Sequence, residues 1–179
     1  MMRKETAAMQ IFKSKLLLTL TTLAFILTLS VTTSMAQEKV KITSKYTGVF
    51  TKTEQIKPDD TEGHTLNLYE AKGAGTGSNG GFTFVNQGMS DLVKGNGTHQ
   101  GYFKATDKDG HVWFANWQGK VTTTMSPEGR PNVKFAGTWS FDKGTGKWEG
   151  VQGGGNYKGM FIGPGIFANE TEGEYFIKK

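Results

Sequence analysis

The sequence has no cysteine among its 179 residues. That absence excludes a disulfide framework, a thiol nucleophile, a thiolate-ligated zinc and an iron–sulfur cluster, and it leaves no residue to carry the lipid of a bacterial lipoprotein. It also lacks an apolar run of the ~20 residues needed to span a bilayer. The longest, Leu16 to Val31, is broken by threonines. Lys13 and Lys15 precede that run and Ser34-Met35-Ala36 ends it, the basic, apolar and small-residue segments of a secretory signal peptide. Residues 1–36 are therefore expected to be removed. A single mature domain of residues 37–179 then remains, periplasmic or secreted and without a stable membrane anchor.

A large charge of one sign is missing too. Arg3, Lys4, Lys13, Lys15 and Glu5 leave with the leader, so the formal +5 of the whole chain falls to +2 in residues 37–179. A basic footprint for nucleic acid is excluded, and no nucleic-acid partner is expected. Beyond Ala36 there is no helical periodicity either. The pattern has period two, with turn residues every eight to twelve positions, as in an all-β barrel or sandwich. Val40, Ile42, Ser44, Tyr46, Gly48 and Phe50 share one face of a first strand. Leu66 and Leu68 set the inner face of a second, which carries His64 and Glu70 with it. Phe82 and Phe84 begin a third; His99, Gly101, Phe103 and Ala105 alternate along a fourth. His111, Trp113, Ala115 and Trp117 follow on a fifth, and Val133, Phe135, Gly137, Trp139 and Phe141 on a sixth. A short strand is expected around Trp148, another from Tyr157 to Ile162 and a last near Glu174 to Lys178. Eight or nine strands without crossover helices favour a closed antiparallel barrel, which removes sheet edges.

What is abundant is glycine. All 25 glycines lie beyond residue 36, about 17% of that part against an average near 7%. Glycine inside a strand weakens it unless a bend or close packing requires it. Gly101/Phe103, Gly137/Trp139 and Gly159/Phe161 alternate small with large, which suits the strong coiling of a small barrel. Gly97-Thr98-His99-Gln100-Gly101-Tyr102-Phe103 and Gly155-Asn156-Tyr157-Lys158-Gly159-Met160-Phe161 echo one another.

Several motifs carry candidate chemistry. Gly75-Thr76-Gly77-Ser78-Asn79-Gly80 matches the dinucleotide fingerprint, but a strand at Phe82-Thr83-Phe84-Val85 follows where that motif needs a helix. It reads as a glycine-rich hairpin, and Lys143 to Lys147 as a turn. No cofactor is expected. His64, His99 and His111 all point inward by strand parity; they are either separate polar histidines or the three ligands of a zinc site. Asp107 and Asp109 read as turn residues. Glu70, at the mouth or inside of the barrel, would have a raised pKa suited to acid–base work; the alternative is that it is solvated. Tyr46, Phe84, Phe103, Trp113, Trp117, Phe135 and Trp139 would either fill the interior or line an apolar pocket, with Glu70, Asn86 or His99 orienting a ligand.

The segment Gly137 to Gly159, a Gly-Thr-Trp strand followed by Gly-Thr-Gly-Lys-Trp-Glu-Gly and Gly-Asn-Tyr-Lys-Gly, resembles the C-terminal half of small bacterial proteins with an allene-oxide-cyclase-like barrel. The resemblance covers residues 95–175 and rests on glycine spacing. It implies an eight-stranded antiparallel barrel of the calycin type, often a homo-oligomer, and an apolar cavity able to hold a lipid-like molecule. Three functions follow. The first is binding of a small apolar or amphipathic ligand; the second is an isomerase or cyclase in which Glu70 and His99 place a water or proton. The third is an interaction module with a filled core. The residues favour binding over catalysis.

Overall fold

The computed structural model describes residues 38–178, so the expected leader and its cleavage point lie outside the described residues. Eight strands run in chain order around one closed antiparallel barrel. They are β1 (Val40–Ile56), β2 (His64–Gly77), β3 (Gly80–Val93), β4 (Asn96–Asp107), β5 (Val112–Met125), β6 (Pro131–Gly144), β7 (Val151–Gly163) and β8 (Ile166–Ile177). β8 returns to pair with β1, so no edge is left open. Tight turns make the closure local. Gly77 pairs with Gly80 across Ser78-Asn79, so the fingerprint-like string is a hairpin. Lys94 and Gly95 both take positive φ (51° and 75°) between Val93 and Asn96, the conformation whose twist matches that of the flanking strands.

The register fixes the barrel's width. From Tyr46 the pairing leads through Gly75 and Phe82 to Asp107 on β4. In the other direction it leads through Asn169, Gly159, Phe135 and Val121 to Gly97 on the same strand. That stagger of 10 residues tilts the strands and gives an interior of the size that either fills with side chains or encloses one small ligand.

Glycines sit where rings need room, and the pairing is across strands rather than along them. Gly101 lies opposite Trp117, Gly137 opposite Tyr157, and Gly159 opposite Phe135. Gly73 faces Phe84 and Gly48 faces Phe167 in the same way. A Cβ at any of these glycines would run into the facing side chain or backbone. An aromatic ring laid over a cross-strand glycine covers the backbone that the glycine exposes, while the missing Cβ lets the wall coil.

Three expectations are corrected. The inner face of β2 is Asn67, Tyr69 and Ala71, not Leu66, Leu68 and Glu70; Leu68 is 59% exposed and Ala71 fully buried. The leucines mislead because the phase of β2 is set by Tyr69, opposite Gly88, and by Gly73 and Gly75, opposite Phe84 and Phe82. A bulge at Thr51 shifts β1 in step, pairing Thr53 with Tyr69. Around Trp148 there is a single 3-10 turn, Gly146–Trp148, rather than a strand. The last strand begins at Ile166, well before Glu174, and Gly153-Gly154-Gly155 belongs to β7.

Candidate functional site

Inside the barrel is a cavity of about 400 Å³. Of the aromatic residues and the amide expected to line a pocket, Tyr46, Asn86, Phe103, Trp113, Trp117, Phe135 and Trp139 do so. Phe84 does not. It is 4% exposed and belongs to a cluster with Ala71, Phe82, Ala105 and Phe167, against which Tyr46, Phe50 and Phe103 pack. Phe84 and Phe103 stack with centroids 4.9 Å apart, and Tyr46 meets Phe84 edge-on at 5.0 Å. Among the described residues no large side chain is completely buried, as expected when rings that pack on one another also border open space.

The wall formed by β4, β5 and β7 is built differently. The echoing segments on β4 and β7 point the same positions inward, so His99 and Tyr157 meet, with Tyr157 Oη 2.8 Å from His99 Nε2. Trp117 packs edge-on to His99 at 4.9 Å and donates its indole N–H to Asn86 Oδ1 at 2.8 Å. Trp139 donates to the Asn156 carbonyl at 3.2 Å. His99, Tyr157, Trp117 and Trp139 are thus each tethered by one hydrogen bond, and all four line the cavity. Burial without a carboxylate partner lowers the His99 pKa to about 4, so the imidazole is neutral at pH 7. Burial pushes the Tyr46, Tyr69 and Tyr157 hydroxyls well above the ordinary range, which keeps them protonated.

One polar atom on the lining stays unsatisfied. Asn169, on β8 and 3% exposed, donates Nδ2–H to the Tyr46 hydroxyl, while its buried Oδ1 has no partner. No sequence signal marked Asn169, because residues 166–171 were expected to precede the last strand. Tyr157 was legible only as the counterpart of His99 in the echo.

At one end, Trp148 closes over the cavity, 3% exposed and 4.9 Å from Trp113. Asp107 sits beneath it as more than a turn residue. Burial opposes its charge, yet the Lys147 ammonium at 2.8 Å, the N–H groups of His111 and Asp109 and the Trp148 indole hold its carboxyl well below the usual range. Asp109 and His111 come close enough to Asp107 to suggest a cation site. The Lys147 ammonium already supplies the positive charge that Asp107 needs, and His111 Nδ1, 3.4 Å from Asp107 Oδ2, makes no hydrogen bond.

Two expected site residues lie elsewhere. Glu70 is on the outer face, where its carboxylate accepts from Thr51 Oγ1 (3.1 Å) and Gln87 Nε2 (3.2 Å), with Lys72 at 3.5 Å. The Gln87 and Thr51 bonds lower its pKa, the reverse of the expected rise. His64 is also outside, clamped by Asp60 (2.7 Å) and Asp91 (2.9 Å), which raise its pKa. With His64 outside, His99 inside and His111 at the end, the three-histidine zinc site is not assembled.

Compared with protein-family models, with curated proteins and with solved structures, the chain matches none.

Proposed function

We propose that this is a small-molecule binding protein that holds an apolar or amphipathic ligand inside the barrel. The observation that carries the reading is the aromatic-lined cavity of about 400 Å³, within the size range of ligand pockets and of their usual make-up, mostly apolar with a few convergent polar groups. The likeness to the allene-oxide-cyclase-like barrels supports the same reading, and export by the N-terminal leader would place the binding outside the cytoplasm.

A second reading, an isomerase or cyclase, is favoured by one observation. His99 and Tyr157 form a hydrogen-bonded pair beside the cavity, a geometry able to orient a water or polarise a carbonyl. Glu70 has no part in it, since it faces away.

The test is a fluorescence titration with N-phenyl-1-naphthylamine, a neutral dye that brightens in apolar surroundings. Saturable 1:1 binding with a dissociation constant in the micromolar range is expected. No saturable binding to folded protein would contradict the proposal.

A further inference from the structure

The cavity's polar groups bear on what kind of ligand it takes, an inference that rests on the binding reading above. We propose that the cavity selects an uncharged amphipathic molecule and that Asn169 anchors its one hydroxyl or carbonyl group.

No lysine or arginine lines the cavity among the described residues; apart from tyrosines, the ionisable groups there are His99 and Asp107. His99 is neutral at pH 7 and bonded to Tyr157. Asp107 is negative, and its charge is answered by Lys147 rather than left to face a ligand. A carboxylate or phosphate drawn into the cavity beside Asn169 would leave water with no cation to receive it, which is strongly unfavourable. A cationic ligand fares no better, since the one carboxylate is already paired.

Asn169 is 3% exposed, lines the cavity and has one amide group unpartnered. Turning the amide over does not remove the vacancy. The Tyr46 hydroxyl can donate to Oδ1 as readily as it accepts from Nδ2–H, and the other half of the amide is then the free one. In either orientation a hydrogen-bonding group at the cavity wall lacks a partner; it is covered at rest, so a ligand hydroxyl, as donor or acceptor, or a carbonyl, as acceptor, meets it through a small rotation of the Asn169 side chain. Buried polar groups left unpaired are costly, so a ligand that fills this position gains over one that cannot. The rings of Tyr46, Phe103 and Trp113 nearby supply the apolar surface for the rest of such a molecule.

Equilibrium dialysis at pH 7 with naphthalene, 2-naphthol and 2-naphthoate separates the arguments, because the three share a ring system and differ only in the polar group. The expected order is 2-naphthol tightest, naphthalene about fivefold weaker and 2-naphthoate about thirtyfold weaker or worse. Asn169→Leu should abolish the preference for 2-naphthol over naphthalene while leaving naphthalene bound. If that variant does not fold, Asn169→Ala gives the same readout. Binding of 2-naphthoate as tight as that of 2-naphthol would overturn the selection against charge while leaving the binding reading standing. An undiminished preference for 2-naphthol in the folded variant would overturn the anchor. Failure of folded wild-type protein to bind naphthalene and 2-naphthol alike would overturn both this inference and the binding function.

Discussion

Two walls of the same barrel solve the problem of burying aromatic rings in different ways. Around Phe84, rings from β1, β3, β4 and β8 pack on one another and on Ala71 and Ala105, and polar atoms play little part. Around His99, rings from β4, β5 and β7 also touch, His99 lying 4.9 Å from Trp117, but each is in addition tethered, His99 to Tyr157 and Trp117 to Asn86. Phe84 itself is sealed within its ring cluster, while Tyr46, Phe82, Phe103 and Phe167 still border the cavity on one side. Rings tethered by their polar edges are held in place, and the cavity they border persists because a hydrogen-bonded indole or imidazole cannot collapse into it without losing its partner. The contrast teaches that ring count alone does not separate a filled barrel from a hollow one. What separates them is whether a ring's position is fixed by neighbouring rings or by a hydrogen bond.

The largest break in this comparison should come on the packed side. Phe84→Ala is expected to lower stability by roughly 3–5 kcal/mol, read from urea unfolding. A loss below about 1 kcal/mol would mean the two walls are equally loose.

The tethered side should show itself through pH. The folded-state pKa of His99, about 4, lies below its unfolded value near 6.5, so the unfolded chain binds the extra proton first. The stabilisation is complete above pH 6.5 and is lost as pH falls toward 4. Between pH 7 and 4.5 the wild type should lose on the order of 2 kcal/mol more than His99→Gln. Carboxylates such as Asp107 lose their own contribution at lower pH, but equally in both proteins. Parallel pH profiles would place His99 in water.

The smallest effect is expected outside the barrel. Glu70→Gln should leave dye binding unchanged and lower the urea midpoint at pH 7 only slightly, through the weakened bonds to Gln87 and Thr51. A clear loss of dye binding would return Glu70 to the site.

The architecture was legible where one signal dominated. On β4, β5 and β6 the alternating positions His99 to Ala105, Trp113 to Trp117 and Val133 to Phe141 face inward as read, although Tyr102 and Phe114 put rings on the outer parity. β2 was not legible, because its inner face carries Asn67, Tyr69 and glycines while its outer face carries Leu66 and Leu68, which inverts the hydrophobic rule. The inversion is physical. Leu68 pairs with Met89 on the outer surface, and the inside of β2 must be thin to admit Phe82 and Phe84. Most aromatic lining residues were legible for the same reason their strands were. Asn169 was not, since a buried amide with a vacant hydrogen-bonding position is a property of three-dimensional surroundings that a polar letter in a chain does not announce.

The most direct test of the account repeats the dye titration on Ala115→Leu. Ala115, 6% exposed on β5, lines the cavity between Phe103 and Phe141 on the neighbouring strands. A leucine there would add three carbons at a buried position bordering the cavity, so stability should fall by no more than about 1–3 kcal/mol while dye affinity falls about tenfold or more. Unchanged affinity in a folded variant would place the binding site elsewhere and contradict the account of a hollow, tethered wall.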